Sequence, residues 1–144
     1  MKLKIKRLSP DAILPARQTP LAAGMDLYAC GSPVTIPPMG HAVIPTGIAI
    51  ELPEGYGAFL FARSGLAIKS GVKPRNGVGV VDADYRGEIR VGLENLSGVA
   101  FRVEPGDRIA QMVILRVEEA EIEEVEELSD TARGGGGFGS TGKK

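Results

Sequence analysis

The sequence is poor in the residues that form covalent cross-links and metal centres. Its 144 residues include one cysteine, Cys30, and one histidine, His41. An intrachain disulfide is therefore impossible, and a zinc site made of cysteine and histidine within one chain has too few ligands. This cysteine usage is typical of a reducing compartment, and we expect a cytoplasmic location.

The sequence also lacks an excess of one charge and a long apolar run. Seventeen Lys and Arg residues oppose 18 Asp and Glu residues, which gives a formal net charge of −1. Such a chain has no basic field to hold a nucleic-acid duplex, although a small nucleotide needs only a few local cations. No apolar stretch is long enough to span a bilayer, and the basic start lacks the apolar segment of a signal peptide. We expect neither a nucleic-acid nor a membrane partner.

Turn-forming residues, by contrast, are abundant. The chain has 20 glycines and 10 prolines, roughly a fifth of its length, against about 12% in average proteins. Short runs with strand periodicity lie between the turns, among them residues 2–7 and 108–117. The pattern predicts an all-β jelly roll or distorted β-barrel of short strands over residues 1–128. It also predicts one helical turn at residues 64–69 and an extra strand or helix at 121–127.

The remaining segment, residues 129–144, is a glycine-rich tail. Residues 137–142 match G-x-G-x-x-G, and residues 137–143 match most of a P-loop, but both motifs need a strand before and a helix after them. One interpretation of the tail is a flexible linker that binds no ligand. An aromatic residue amid glycines favours a ligand lid instead, because Phe138 can stack on a base. Phosphate oxygens suit the remaining groups of the tail, which are Arg133, Ser140, Thr141 and backbone N–H groups such as that of Gly139.

Residues 61–69 form a candidate anion site. Arg63, Ser64 and Gly65 stand at the start of the predicted helical turn, where free N–H groups favour a negative charge. In the alternative interpretation, Ser64 caps the turn and Arg63 is solvated.

Residues 76–87 form a third candidate. Asn76-Gly77 and the following glycine predict a hairpin whose backbone approaches a ligand closely. Asp82 and Asp84 would share one face of a strand, and one of them could act as a general base. The alternative is a solvated, Asp-rich turn.

Two further polar residues lie in apolar surroundings. Asp26, within residues 23–29, is either a hydrogen-bonded aspartate at a strand end or a functional acid. Gln111, within residues 108–113, is either a core glutamine satisfied by the backbone or a ligand-binding residue. The glutamate-rich run at residues 118–127 is interpreted as a solvated face.

Together, in order and spacing, five segments resemble the trimeric dUTP pyrophosphatases, or dUTPases. The segments are residues 23–29, 62–69, 76–87, 108–113 and 133–142, and the resemblance covers nearly the whole chain. It implies a β jelly roll that forms homotrimers with three shared active sites. The implied reaction is hydrolysis of dUTP to dUMP and pyrophosphate, with Mg²⁺ on the triphosphate. That activity removes dUTP from the nucleotide pool and supplies dUMP for dTTP synthesis.

The resemblance also implies roles for individual residues. Asp82 matches the aspartate that deprotonates the attacking water and holds the deoxyribose hydroxyl, and Tyr85 matches the tyrosine that leaves no room for a ribose 2′-hydroxyl. Asp26 matches an acid near the hydration shell of the metal. The implied uracil pocket comprises Asn76, Gly79, Val80 and Val81. The implied phosphate-binding set comprises Arg63, Ser64, Gly65 and Gln111, with Arg133, Ser140 and Thr141 from the tail, where Phe138 would stack on uracil.

Two other classes remain open. The dCTP deaminases resemble this chain through its middle part but lack the Phe-Gly-Ser-Thr-Gly tail. A non-catalytic nucleotide-binding or signalling protein on the same fold is the second alternative, and retention of Asp82, Arg63 and the complete tail argues against it.

Overall fold

The computed structural model describes residues 1–137, which fold into short strands with one helix. Gly- and Pro-rich turns interrupt the chain too often for longer elements to form. The predicted all-β class is confirmed. The strands are β1 (Lys4–Arg7), β2 (Met25–Tyr28), β3 (Val34–Ile36), β4 (His41–Pro45), β5 (Ile48–Glu51), β6 (Tyr56–Phe61), β7 (Val72–Pro74), β8 (Gly79–Val81), β9 (Arg90–Asn95), β10 (Phe101–Val103) and β11 (Arg108–Arg116), and the helix is α1 (Ser64–Ser70).

The strands pair in four antiparallel sheets. The largest has the order β2-β11-β6-β8, and a three-stranded sheet has the order β4-β9-β7. Two further pairs join β1 to β5 and β3 to β10. Most neighbours are distant in sequence, as in a jelly roll, and the described strands do not close into a barrel.

Alternate residues of the strands point inward and form the core. In β9, Val91, Leu93 and Asn95 point inward, while the residues between them are more exposed. Asn95 is fully buried, and its amide donates to the carbonyls of Ile36, Pro37 and Val99. This buried amide is therefore satisfied, which is the condition for burying a polar group at low cost.

The helical turn forms where it was expected, but its cap differs. Helix α1 begins at Ser64, so the N-cap position belongs to Arg63, and no side chain caps the helix. The prediction of a Ser64 cap is wrong because Arg63, not Ser64, has the extended backbone of a cap residue (φ −85°, ψ 125°). Gly71 ends the helix in the left-handed conformation, with φ 67°.

The predicted hairpin at residues 76–81 is also wrong. Gly77, with φ 74°, forms a turn between β7 and β8, but these strands do not pair with each other. Strand β7 pairs with β9, and β8 pairs with β6. The turn therefore connects two different sheets.

The chain after β11 contains no helix or strand between residues 117 and 137. The extra element predicted at residues 121–127 is therefore not formed. Ile122 is 93% exposed and has no core to cover. Within the described residues, no helix has both the length and the apolar character needed to cross a membrane.

Candidate active site

Predicted site residues gather around two separate clefts. The first, here called the Asp82 cleft, has a volume of about 260 Å³. The second, the Asp26 cleft, has a volume of about 370 Å³. The Asp82 cleft is lined by Asn76, Gly79, Val80, Val81, Asp82 and Tyr85, among others. The Asp26 cleft is lined by Asp26, Arg63, Ser64, Gly65, Arg108 and Gln111, among others.

The Asp82 cleft lies beside β8, an edge strand of the largest sheet. Gly79 lies opposite Leu60 of β6, and a Cβ at Gly79 would come within 3.1 Å of the Leu60 side chain. Glycine at this position therefore lets the two strands pack closely. Among the described strands β8 pairs only with β6, so part of its backbone N–H and C=O groups point away from the sheet and can meet a ligand.

Asp82 leaves β8 and enters a turn. Its carbonyl accepts a hydrogen bond from the backbone N–H of Tyr85 at 3.2 Å, and its side chain is exposed. The expectation that Asp82 and Asp84 share one strand face is wrong, because the strand ends at Val81. Asp82 lines the cleft, whereas Asp84 does not. In the described residues, Asp82 makes no salt bridge, so its carboxylate is available to a ligand.

The Asp26 cleft is organised by one carboxylate and two guanidinium groups. Asp26, on β2, is 9% exposed. Its Oδ1 accepts from Nε of Arg63 at 2.9 Å, and its Oδ2 accepts from Nη1 of Arg108 at 3.2 Å. Arg63 also donates from Nη1 to the carbonyl of Arg108 at 3.0 Å. The two cations are thus fixed side by side at the surface of the cleft, an arrangement that suits a polyanion.

Gln111 is held next to these arginines. It lies opposite Asp26 in the β2–β11 ladder, and its Nε2 donates to the carbonyl of Ala62 at 2.9 Å. The backbone contact expected for a core glutamine is therefore present, yet the side chain is only half-buried and lines the cleft. A Cβ at Gly24 would approach Gln111 Oε1 to 2.9 Å, so glycine at position 24 leaves room for this amide.

Sequence reasoning missed Arg108 as a site residue. Arg108 begins β11, three positions before Gln111, and a basic residue beside a predicted anion-binding glutamine was the available signal. It also missed Glu88 and Arg90, which line the Asp82 cleft and are joined by a hydrogen bond of 2.7 Å. Nothing in their local pattern distinguishes them from a solvated strand face.

The two clefts are distinct in a single chain. Asp26 lies on β2 and Asp82 follows β8, at opposite edges of the four-stranded sheet. Three strand spacings separate these edges, about 14 Å. The clefts share no lining residue in the described part of the chain. One chain alone therefore does not bring the two predicted groups of residues together.

The predicted tail residues do not join either cleft within the described part of the chain. Arg133 is exposed, donates from Nε to the carbonyl of Gly136 at 2.8 Å, and lines neither cleft. Phe138, Gly139, Ser140 and Thr141 lie outside the described residues.

A metal site made by protein groups alone is not found within residues 1–137. No cluster of three or more His, Cys, Asp or Glu side chains is placed to hold an ion there. Among residues 1–137, Asp26 is the one carboxylate that lines its cleft, and both of its oxygens accept guanidinium hydrogen bonds. The donor set fits a Mg²⁺ ion carried mainly by substrate phosphates, which is a common mode for this ion.

Comparison with known proteins decides the family. The family model described as dUTPase matches residues 10–142. The chain belongs to the dUTPase family. Its relatives include the deoxyuridine 5'-triphosphate nucleotidohydrolase of Nautilia profundicola, 54% identical over 99% of this chain and 100% of the relative. The protein of the same name from Hydrogenobaculum is 53% identical over the full length of both chains.

Solved dUTPase structures share the fold. A mutant dUTPase of Staphylococcus bacteriophage 80alpha, solved with dUpNHpp, matches 98% of each chain at a TM-score of 0.91 and 31% identity. A mutant dUTPase of phage phi11 of S. aureus matches 88% of this chain and 98% of its own, at a TM-score of 0.81 and 27% identity, and is described with a structural Mg(II) ion. The jelly-roll fold predicted for this member of the dUTPase family is thereby confirmed.

Proposed function

We propose that this dUTPase-family enzyme hydrolyses dUTP to dUMP and pyrophosphate with the help of Mg²⁺, at sites shared between the subunits of a homotrimer. Family membership makes the chain a dUTP diphosphatase; the metal, the residue roles and the assembly are our proposal. The observation that carries it is the pair of clefts, one with a free carboxylate beside an exposed backbone edge and one with two fixed guanidinium groups.

The Asp82 cleft would take the nucleoside. The outward edge of β8 and the turn at Asn76 offer backbone donors and acceptors to the pairing edge of uracil. A base with the wrong pattern would leave buried groups unpaired, and this penalty gives selectivity. Val80 and Val81 would flank the base, and Tyr85 would pack against the sugar and exclude a 2′-hydroxyl.

Asp82 would act as the general base. Its carboxylate orients a water molecule and accepts one proton from it while the water oxygen attacks the α-phosphorus. The bond from that phosphorus to the bridging oxygen breaks, and pyrophosphate leaves. Asp82 would also hold the deoxyribose hydroxyl, which fixes the substrate relative to the water.

The Asp26 cleft would take the triphosphate. Arg63 and Arg108 offer cationic donors, and Ser64, Gly65 and Gln111 complete the set. Phosphoryl transfer depends mainly on positioning and charge neutralisation, which these groups supply. Mg²⁺, when bound, adds further neutralisation of the triphosphate charge. Asp26 would meet the hydration shell of this ion through water.

A closed trimer would unite the two clefts. Because each chain keeps its two clefts at opposite edges of one sheet, a complete site needs the Asp82 cleft of one chain against the Asp26 cleft of another. Cyclic symmetry would then give three equivalent sites. The tail would close over each site, with Arg133, Ser140, Thr141 and the Gly139 N–H on the phosphates and Phe138 stacked on uracil.

In the cell, the enzyme would keep dUTP out of DNA synthesis and supply dUMP for dTTP synthesis, and we expect it in the cytoplasm. The deciding experiment is pyrophosphate release from each of dUTP, dCTP, dTTP and UTP, with Mg²⁺ and with EDTA. We expect release from dUTP alone and loss of activity in EDTA. Release of ammonia from dCTP would indicate a deaminase, and binding without turnover would indicate a non-catalytic protein.

A further inference from the structure

Gly87 lies two residues after Tyr85, and its missing side chain leaves the space that the tyrosine ring occupies. A Cβ at Gly87 would lie 2.4 Å from Tyr85 Oη and 2.5 Å from Tyr85 Cζ. These separations are far inside van der Waals contact, so any other residue at position 87 must displace the ring. Gly87 does not have a positive φ, unlike Gly77. Glycine is therefore required here by space and not by backbone conformation.

The hydroxyl of Tyr85 is anchored on the backbone next to this glycine. It donates to the carbonyl of Glu88 at 3.0 Å. That carbonyl is itself fixed, because the Glu88 side chain accepts a hydrogen bond from the N–H of Gly47 at 2.9 Å. The backbone N–H of the next residue, Ile89, donates to the carbonyl of Ile48 at 2.9 Å. The carbonyl of Ile89 accepts a hydrogen bond from the buried hydroxyl of Thr46 at 2.6 Å. The acceptor of Tyr85 thus belongs to the rigid part of the fold.

The opposite side of Tyr85 faces the Asp82 cleft. The residue is 45% exposed and lines the Asp82 cleft. Within residues 1–137, the one side-chain hydrogen bond of Tyr85 is the bond to Glu88, and we infer that this bond and the close approach of Gly87 set the position of the ring. If a side chain at position 87 pushes the ring away, the phenol can swing into solvent without disturbing the core, so the fold should tolerate the change.

We propose that Gly87 and the carbonyl of Glu88 form a seat for Tyr85, and that this seat sets the selectivity for deoxyribose over ribose. The inference rests on the proposed function, in which Tyr85 contacts the sugar. Gly87 acts here as a positioning residue, since it touches the tyrosine and not the substrate. A ring that leaves its seat no longer fills the space next to the sugar C2′, and a 2′-hydroxyl then fits.

The test compares kcat/KM for dUTP and for UTP in Gly87→Ala. We expect the ratio of the two values to fall by about tenfold or more, while the melting temperature and the oligomeric mass stay near those of the wild type. The matched control is Gly98→Ala, because Gly98 is exposed and a Cβ there meets nothing within 4 Å. This control should keep the wild-type ratio. An unchanged ratio in Gly87→Ala overturns the proposal.

A double-mutant cycle separates positioning from a general structural effect. In a Tyr85→Ala background, Gly87→Ala should leave the dUTP-to-UTP ratio unchanged, because the ring that it moves is absent. An equal fall in both backgrounds overturns the proposal. Tyr85→Phe removes only the anchoring hydroxyl and decides the matter should Gly87→Ala not fold: a lowered ratio supports the seat, and a wild-type ratio overturns it. Wild-type enzyme that does not hydrolyse dUTP contradicts the proposed function itself, independently of Gly87.

Discussion

Asp26 Oδ1 accepts a hydrogen bond from Arg63 Nε at 2.9 Å, although the two residues lie 37 positions apart in the chain. The second oxygen of the same carboxylate binds Arg108, which lies 82 positions away. One nearly buried acid therefore sets the orientation of two cations that would otherwise repel each other. In the proposed function, phosphate binding in the Asp26 cleft would depend on this arrangement.

Replacing Asp26 by Asn tests this dependence. The variant keeps the size of the side chain but removes the charge that holds both guanidinium groups. We expect a loss of about 1–3 kcal/mol in the free energy of unfolding and a fall in kcat/KM for dUTP of roughly tenfold to a hundredfold. Denaturant melts and steady-state kinetics at several Mg²⁺ concentrations measure both. A changed Mg²⁺ requirement would add a role at the hydration shell of the metal.

The matched control is Glu51→Gln. This substitution also removes an ion pair, because Lys4 Nζ donates to Glu51 at 2.6 Å. That hydrogen bond lowers the pKa of the Glu51 carboxyl. That pair is exposed, however, and we expect a much smaller effect on stability and none on turnover. If Asp26→Asn behaves like Glu51→Gln, the carboxylate does not organise the cleft.

Asp82→Asn tests the general base. The change preserves the shape of the side chain and removes its capacity to accept a proton from water. We expect kcat to fall by about two or more powers of ten, while dUTP still binds, as measured by calorimetry. Asp84→Asn is the control, because Asp84 belongs to the same turn but does not line the cleft. Near-native turnover in Asp82→Asn would refute the assignment.

Local signals in the sequence predicted strands and the helix better than they predicted which strands pair and which side chains meet. Alternation located strands such as β11, and the helix-like run at residues 64–69 located α1 although Ser64 is not its cap, because both patterns are properties of neighbouring residues. The pairing of β7 with β9 and of β8 with β6 was missed, since register is set by long-range packing. Arg108 was missed for the same reason: only the folded sheet brings it to Asp26.

In the exposed segment after β11, the sequence predicted an element that the structure does not contain. Its scattered apolar residues suggested a further element at residues 121–127, yet none forms. Apolar residues produce a strand or helix only when a core can receive them, and Ile122 faces none within the described chain. The glycine-rich tail that follows stays a prediction from composition and motif, which do not depend on partners in the same chain.

Deleting residues 132–144 tests the tail. The deletion removes no residue of any described strand, and we therefore expect an unchanged melting temperature and oligomeric mass. Activity on dUTP should nevertheless collapse, because charge neutralisation and exclusion of water at the phosphates are lost. Deleting only Lys143 and Lys144 keeps the whole motif and serves as the control. Full turnover after the longer deletion would mean that the tail is a linker.

Mixed oligomers test how the two clefts combine. Arg63→Ala damages only the Asp26 cleft, and Asp82→Asn damages only the Asp82 cleft, so each pure variant should be nearly inactive. If a site takes one cleft from each of two chains, co-expression of both variants in equal amounts rebuilds intact sites. Random assembly would make about a quarter of the sites complete.

We therefore expect the mixture to recover about a quarter of the wild-type activity. Its sedimentation mass should be about three times 15.1 kDa. The control mixture combines Asp82→Asn with a chain that carries both substitutions. No arrangement of these two chains restores Asp82, so this mixture should stay inactive. If each site were built within one chain, neither mixture would recover, because every chain would carry a damaged site. The recovery in the first mixture alone distinguishes a shared site from three independent ones.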